Sequence, residues 1–396
     1  MIELRWKNKY INYTRLTWSG THNQVSRVVS FEIPWNPYDK DFNNPNIKLG
    51  DLIYLYDDKK QLFVGTVTKR DKTAEIGSAS YEATDFMKHL LRSTASYNFK
   101  NTTAEKIAKT LCKTLGIGTK SLSKTGVKIP KLIFEEKTIY EMILTAYRKA
   151  KASTKKVYMP IMNGNKLSVI EKGLDSGVTL TQGVSITSAT YSDTTDNMVD
   201  RVVIYDEEKK KVGTVQNKAN TEKYGVFQSV YTKEEGKDAK KEAQALLVGI
   251  TQEASIEALG DIRAVSGKSL KIKDSATGLE GMFYITSDSH TFENGVHMMS
   301  LGIEWKNEME GEDEAQKEAK KKGANGGVTK ASQSNGAKCY YLPNATAYHS
   351  TTSCSACKGK KGFKTSTVGD MKKILITKGK NKGKRKFKPC SKCWQT

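Results

Sequence analysis

The sequence predicts a β-rich α+β protein that ends in a small, separately folded basic domain. Three observations carry that prediction. Short β-rich runs separated by turn clusters fill both ends of the first 305 residues. A stretch of helical period lies between them. After residue 305 composition changes abruptly, and cysteine and positive charge collect in the last 60 residues.

The first run of strands is read at Ile2–Trp6, Tyr13–Ser19, Arg27–Ile33, Leu52–Tyr56 and Gln61–Thr68, broken by clusters such as Trp35-Asn-Pro-Tyr-Asp and Asp57-Asp-Lys-Lys. Strands at this spacing predict a small sandwich or barrel. Its aromatics (Trp6, Trp18, Phe31, Trp35, Tyr54, Tyr56) are read as core and seam residues, not as a ligand cage.

The period then changes. Residues 83–92 carry a cap followed by apolar residues at helical spacing. In 103–116, Ile107, Ala108, Leu111 and Leu115 share one face, lysines take the other, and Gly116 supplies the stop. In 138–150, Thr138 and Glu141 form a capping box ahead of Ile139, Met142, Ile143 and Ala146. A hairpin follows, Val157–Ile161 and Lys166–Ile170 around Asn163-Gly164-Asn165.

Strands return at Ile186–Tyr191, Val199–Tyr205, Gly213–Gln216 and Gly225–Tyr231. The alanine- and leucine-rich run Lys237–Leu259 reads as one long helix ended by Gly260. Asp261–Val265 and Ser269–Ile272 read as short strands. The body closes with the hairpin Met282–Asp288 and Val296–Trp305, whose loop holds Glu293-Asn294-Gly295. Asn-Gly between β-rich runs is a strong hairpin signal because both residues tolerate positive φ.

The domain reading is a first β domain at 1–95, an α+β insertion at 96–180, a second β domain at 181–305, a charged and flexible linker at 306–336 and a basic domain at 337–396. Formal net charge is +22, and the tail's 15 Lys and Arg against one acid, Asp370, account for +14 of it. No apolar run is long enough to span a membrane as a helix, and the first residues lack a signal-peptide pattern.

Catalytic patterns are absent from 1–305: no Walker A sequence, no Gly-x-Ser-x-Gly, no His-Glu-x-x-His and no dinucleotide glycine fingerprint. His290 and His297 flank the hairpin loop and would face each other across it, either as a metal pair or as packing residues. No neighbouring carboxylate or cysteine spacing completes a site, and packing is the expected role. Cys112 sits in helical context and reads as a buried apolar residue.

The tail carries the chemistry. Cys354-x-x-Cys357 and Cys390-x-x-Cys393 are two thiolate knuckles 32 residues apart, a strong structural zinc signal in a domain with few large apolar side chains. Together the two knuckles offer the four ligands that zinc wants. Cys339 has no assigned partner. Disulfides are the alternative reading. Lys378–Lys388, with Lys382, Lys384, Arg385, Lys386 and Lys388, reads either as a contact for polyanions or as a solvated loop.

Two resemblances add to this. Tyr81-Glu-Ala-Thr-Asp85, the helix ending Leu115-Gly-Ile117, Thr138-Ile-Tyr-Glu-Met-Ile-Leu-Thr-Ala146, Asp196-Asn-Met-Val-Asp-Arg-Val-Val-Ile-Tyr205 and Gly278-Leu-Glu-Gly-Met-Phe-Tyr-Ile285 together resemble phage tail hub proteins of the XkdQ/YqbQ prophage type. The resemblance implies two tube-like β-barrel domains with an inserted α+β domain. It also implies a homotrimeric baseplate ring joining the tail tube to the central spike of a contractile tail, hence a virion-tail or tail-like location after assembly in the bacterial cytoplasm. Tyr348-His349-x4-Cys354 with Pro389-Cys390-x2-Cys393 resembles a small bacterial and phage module, which implies His349, Cys354, Cys390 and Cys393 as the zinc ligands; Cys357 departs from that pattern and is the alternative to His349 in a four-cysteine ribbon.

Two other classes are weighed. A nucleic-acid-binding zinc-ribbon protein with an oligomerising β body predicts polyanion affinity that falls with salt and disappears without 337–396. A wall-degrading enzyme is disfavoured because no acid/base pair can be named.

Overall fold

The computed structural model describes residues 1–7, 9–22, 26–234, 236–309, 338–342, 347–350, 362–374 and 387–390. The expected linker helix within 306–336 lies outside the described residues from residue 310 onward. The chain divides into two compact units, Met1–Met198 with Val248–Gln316 and Val199–Leu247 with Lys317–Thr396.

The first unit begins with β1 (Ile2–Trp6), β2 (Lys9–Tyr10), β3 (Arg15–Thr21), β4 (Val28–Trp35), β5 (Leu52–Asp57), β6 (Lys60–Asp71), β7 (Gly77–Asp85) and the short α1 (Met87–Arg92). Then come β8 (Thr94–Thr102), α2 (Ala104–Thr114), β9 (Gly118–Leu122), β10 (Ile129–Thr138), α3 (Ile139–Thr154), β11 (Tyr158–Asn163) and β12 (Lys166–Glu171). It continues with β13 (Leu174–Thr181) and β14 (Ile186–Thr194). The second unit supplies β15 (Arg201–Tyr205), β16 (Lys211–Gln216), α4 (Lys218–Tyr224), β17 (Gln228–Thr232) and α5 (Ala239–Ala245). The first unit resumes with β18 (Thr251–Leu259), β19 (Lys268–Asp274), β20 (Leu279–Glu293) and β21 (Val296–Glu304). The tail holds β22 (Lys338–Tyr341), β23 (Ala347–His349), β24 (Lys364–Thr367), α6 (Val368–Lys373) and β25 (Lys388–Pro389).

The local signals explain the middle segment. Thr138 Oγ1 accepts the Glu141 N–H at 3.1 Å, capping α3 as the box predicts. Gly116, at φ +66°, turns the chain out of α2 while the Ile117 N–H returns to Cys112 O. The apolar faces of α2 and α3 meet over one core with Ile107, Leu111, Ile143 and Tyr147 fully buried. Cys112 is among these residues, as expected, and burial raises its thiol pKa to about 12.

The expected pair of barrels is replaced by one continuous sheet in the order β14-β18-β21-β20-β3-β4-β7-β6-β5-β1-β2, with β19 also on β20 and β13 on β19. No ladder among the described residues closes either half. One core nevertheless contains both Leu4 of β1 and Leu16 of β3, so the first half bends around it. A second core holds Leu270, Phe283, Leu301 and their neighbours.

β20 belongs to both halves. Its first part pairs with β19, its last seven residues pair with β3, and β21 runs along most of its other edge. Pairing with β21 shifts between Ile285 and Ser287, and the buried parity changes there. Leu279, Phe283 and Ile285 are buried before it; Asp288, His290 and Phe292 are buried after it. Such a bulge re-aims the rest of a strand, so one strand feeds Phe283 to one core and Phe292 to the other. Gly302 faces this point, where a β-carbon would stand 2.5 Å from Ser287 Oγ. The hairpin turn is as expected, with Asn294 at φ +51° and Gly295 at φ +77°.

Two further expectations fail. Lys237–Leu259 is not one helix: α5 ends at Ala245 and 251–259 is strand β18, held between β14 and β21. Asp261–Val265 is a turn, with the Ala264 N–H on Asp261 O at 3.0 Å. The residues between β14 and β18 hold a separate small sheet, β16-β15-β17, whose core is Val202, Ile204, Val215 and Tyr231 with Ala243 and Leu246 of the α5 segment.

Candidate functional site

In the first unit the sheet's two halves meet at a buried polar joint. Asp288 of β20 is fully buried and takes both guanidinium nitrogens of Arg27, Nη1 at 3.0 Å, and the Ser266 N–H at 2.6 Å. The Arg27 guanidinium stacks 4.0 Å from the centre of the Trp18 ring. Gly20 makes room for it, since a β-carbon there would stand 2.5 Å from Nη1. Beside it, Asp85 accepts from Ser26 Oγ at 2.8 Å and from the backbone N–H of Arg27 and Met87, yet burial outweighs these donors and pushes its pKa up to about 6.

His290 and His297 do face each other, with Nδ1 of the first 3.1 Å from Nε2 of the second. His290 Nε2 lies 3.1 Å from Ala264 O and must donate to it, which leaves Nδ1 as an acceptor. His297 Nε2–H therefore donates to His290 Nδ1. Burial lowers both pKa values, and His297, further depressed by His290, falls to about 4. Each facing lone pair or proton is used within the pair, so the pair packs the hairpin, and among the described residues no group of three metal-ligating side chains gathers.

The tail's described residues form a four-stranded sheet in the order β24-β22-β23-β25, with Cys339, Tyr348, Val368, Met371 and Phe387 in its core. Parallel pairing sets Ala347 opposite Lys388 and Tyr348 opposite Pro389, and the Cys390 N–H donates to Tyr348 O at 3.0 Å. That register makes His349 and Cys390 neighbours at the ends of adjacent strands. His349 is 7% exposed, its ring edge-on to Phe363. Cys354, Cys357 and Cys393 lie outside the described residues, as do Lys382, Lys384, Arg385 and Lys386; Lys388 is exposed.

Cys339, left without a role by its spacing, is fully buried, with Sγ 3.3 Å from Ser366 O and its pKa raised by burial. It is a packing residue of the tail core. Phe387 is buried against Tyr341, not offered to a base. Asp370 accepts the Thr367 hydroxyl at 2.7 Å, and Thr367 Oγ1 caps the Asp370 N–H. The tail's only acid is thus spent on a helix cap.

The joint was not legible as a site: Arg27 and Asp288 stand 261 residues apart. The one sequence signal is that Asp288 and His290 alternate with Phe292 on one strand face, at inward positions where apolar residues would be expected.

With the geometry in hand, comparison with known sequences is decisive. The profile of the YQBQ-like family matches residues 16–304. The chain belongs to the YQBQ-like family. This YQBQ-like chain is 28% identical over 273 residues to the Bacillus subtilis uncharacterized protein YqbQ, covering 66% of the chain and 83% of that relative. It is 26% identical over 301 residues to the phage-like element PBSX protein XkdQ of the same organism, covering 73% and 91%. The YQBQ-like fold is also that of the prophage MuSo2 43 kDa tail protein from Shewanella oneidensis, with a TM-score of 0.61 at 15% identity over 76% of this chain and 97% of the other. A tail protein from Neisseria meningitidis gives a TM-score of 0.56 at 14% identity over 76% and 95%.

Proposed function

We propose that this protein is a structural component of a phage or phage-derived tail, and specifically the baseplate hub of a contractile tail. The observation that carries the reading is β20, one strand that joins two curled half-sheets into a single body. A ring subunit needs such rigidity between its halves, and it manages open sheet edges by pairing them with neighbours. Descent from the same family as the PBSX protein XkdQ, and a fold shared with two tail proteins, support the tail assignment. Three copies would form the ring between the tail tube and the spike, the finished protein residing in the virion tail after cytoplasmic assembly. We assign the body no catalytic role.

For the tail we propose structural zinc. His349 and Cys390 are placed side by side, the donor types suit zinc, and the small core gains from a metal staple. His349, Cys354, Cys390 and Cys393 would hold the ion, with Cys357 as the competitor of His349. Zinc there supplies cross-linking and no acid/base chemistry, consistent with Asp370 being spent on a cap. Lys382, Lys384, Arg385, Lys386 and Lys388 would then offer a basic edge to a wall polyanion.

The test is immunogold labelling of purified particles with antibody to residues 337–396. Label beneath the tube supports the hub; label absent from particles overturns it.

A further inference from the structure

A second feature of the first unit has no place in that reading and stands independently of it. A cleft of about 790 Å³ opens where the β5–β6 hairpin meets the β11–β12 hairpin. Lys60, Lys120 and Lys166 line it, with the amides of Gln61, Asn163 and Asn165, the ring of Tyr54, and the apolar Leu52, Val64 and Phe86. No carboxylate is among the lining residues.

Elsewhere in the first unit Lys69 pairs with Asp71, Lys137 with Glu141 and Lys156 with Glu171. The three cleft lysines do not: among the described residues none has an ion pair, and Lys120 reaches only the Asn163 amide oxygen, at 3.0 Å. The fold also holds them there. Gly118, opposite Lys166 in the parallel β9–β12 ladder, leaves room for that side chain, since a β-carbon would stand 3.2 Å from Lys166 Cγ. Gly164, at φ +63°, brings its turn against Gln61. Three like charges gathered without a counter-charge repel each other, and a bound anion removes that repulsion.

We propose that this cleft binds a short acidic segment of a partner protein. Carboxylates would meet the lysines, the side-chain amides would pair with the segment's peptide groups, and Leu52, Val64 and Phe86 would take an apolar side chain. A lysine ammonium is a point charge that attracts carboxylate and phosphate alike, so the rest of the lining decides between them. The mixed lining matches a peptide better than a bare polyanion, which needs no apolar wall.

The experiment titrates full-length protein with the labelled hexapeptide acetyl-Glu-Leu-Glu-Asp-Leu-Glu-amide, and separately with tripolyphosphate, by fluorescence anisotropy and calorimetry. Protein carrying K60Q, K120Q and K166Q is compared with protein carrying K209Q, K210Q and K211Q, three exposed lysines elsewhere. The proposal expects the cleft substitutions to weaken peptide binding at least tenfold and the control substitutions to change it less than twofold. Equal weakening in both proteins, no peptide binding at all, or tighter cleft-dependent binding of tripolyphosphate than of peptide would each overturn it. Circular dichroism of the cleft protein confirms that its fold is retained, and charge-retaining arginines at the same positions should restore most of the affinity.

Discussion

Arg27 and Asp288 form a two-pronged, buried ion pair that locks the start of β4 to the middle of β20. Neither residue touches a candidate metal site. Their contribution is to fix where the two half-sheets join, beside the bulge that divides β20 between two cores.

Asp288→Ala should therefore destabilise the protein strongly. It leaves the Arg27 charge and the Ser266 N–H without their acceptor, a loss of about 3–5 kcal/mol for a broken buried pair. Urea unfolding followed by tryptophan fluorescence measures it. Arg27→Met combined with Asp288→Leu should cost less than the sum of the two single changes, because the double variant leaves no buried charge unpaired. Additive losses would show that the pair is not coupled.

The histidine pair predicts a pH dependence. His297 has a folded pKa of about 4, below its unfolded value of about 6.5. The unfolded chain therefore binds the proton first, and the stability that His297 contributes is complete above about pH 6.5 and is lost as pH falls toward its folded pKa. Asp85 acts with the opposite sign, its raised pKa of about 6 adding stability as pH falls below that value. The difference in unfolding free energy between the wild type and His297→Gln cancels the Asp85 contribution. That difference should shrink from pH 7 to pH 4, and a pH-independent difference would refute the assignment.

Gly260 lies under the His297 ring, where a β-carbon would come within 2.1 Å of Cδ2. Gly260→Ala should destabilise by about 1–3 kcal/mol, the usual cost of overpacking. Adding His297→Ala should recover most of the loss. Thermal melts of the single and double variants decide it.

Metal analysis separates the tail's cysteines. Purified chain should carry one zinc, and Cys390→Ser or Cys393→Ser should abolish it, while Cys339→Ala keeps the metal and lowers tail stability by the cost of a small core cavity, about 1–2 kcal/mol. His349→Ala and Cys357→Ser, compared by native mass spectrometry, decide which is the fourth ligand. A metal-free chain lighter by two hydrogens per bridge would establish disulfides instead.

Sequence reading recovered what neighbouring residues decide among themselves. The α2 stop at Gly116, the Thr138 cap of α3 and the Asn294-Gly295 turn all depend on interactions a few residues long. It failed where distant partners decide. In 251–259, Ala254, Ile256 and Ala258 alternate inward, but alanine, glutamate and leucine carry helix propensity, and only the slot between β14 and β21 makes the segment a strand. The second half of β20 is likewise extended by its ladder with β3, which no local pattern announces.

The sequence by itself determined helices α2 and α3, the Asn294-Gly295 hairpin and the basic, cysteine-rich composition of the tail, because side-chain periodicity, caps and turn residues are local properties. Tertiary structure alone decided that two β-rich halves form one sheet, that Arg27 finds Asp288, that Cys339 is core while Cys390 lies beside His349, and that three lysines share a cleft. Those outcomes follow from backbone pairing and burial between residues far apart in the chain, where many partners are chemically acceptable and only the packed whole selects one.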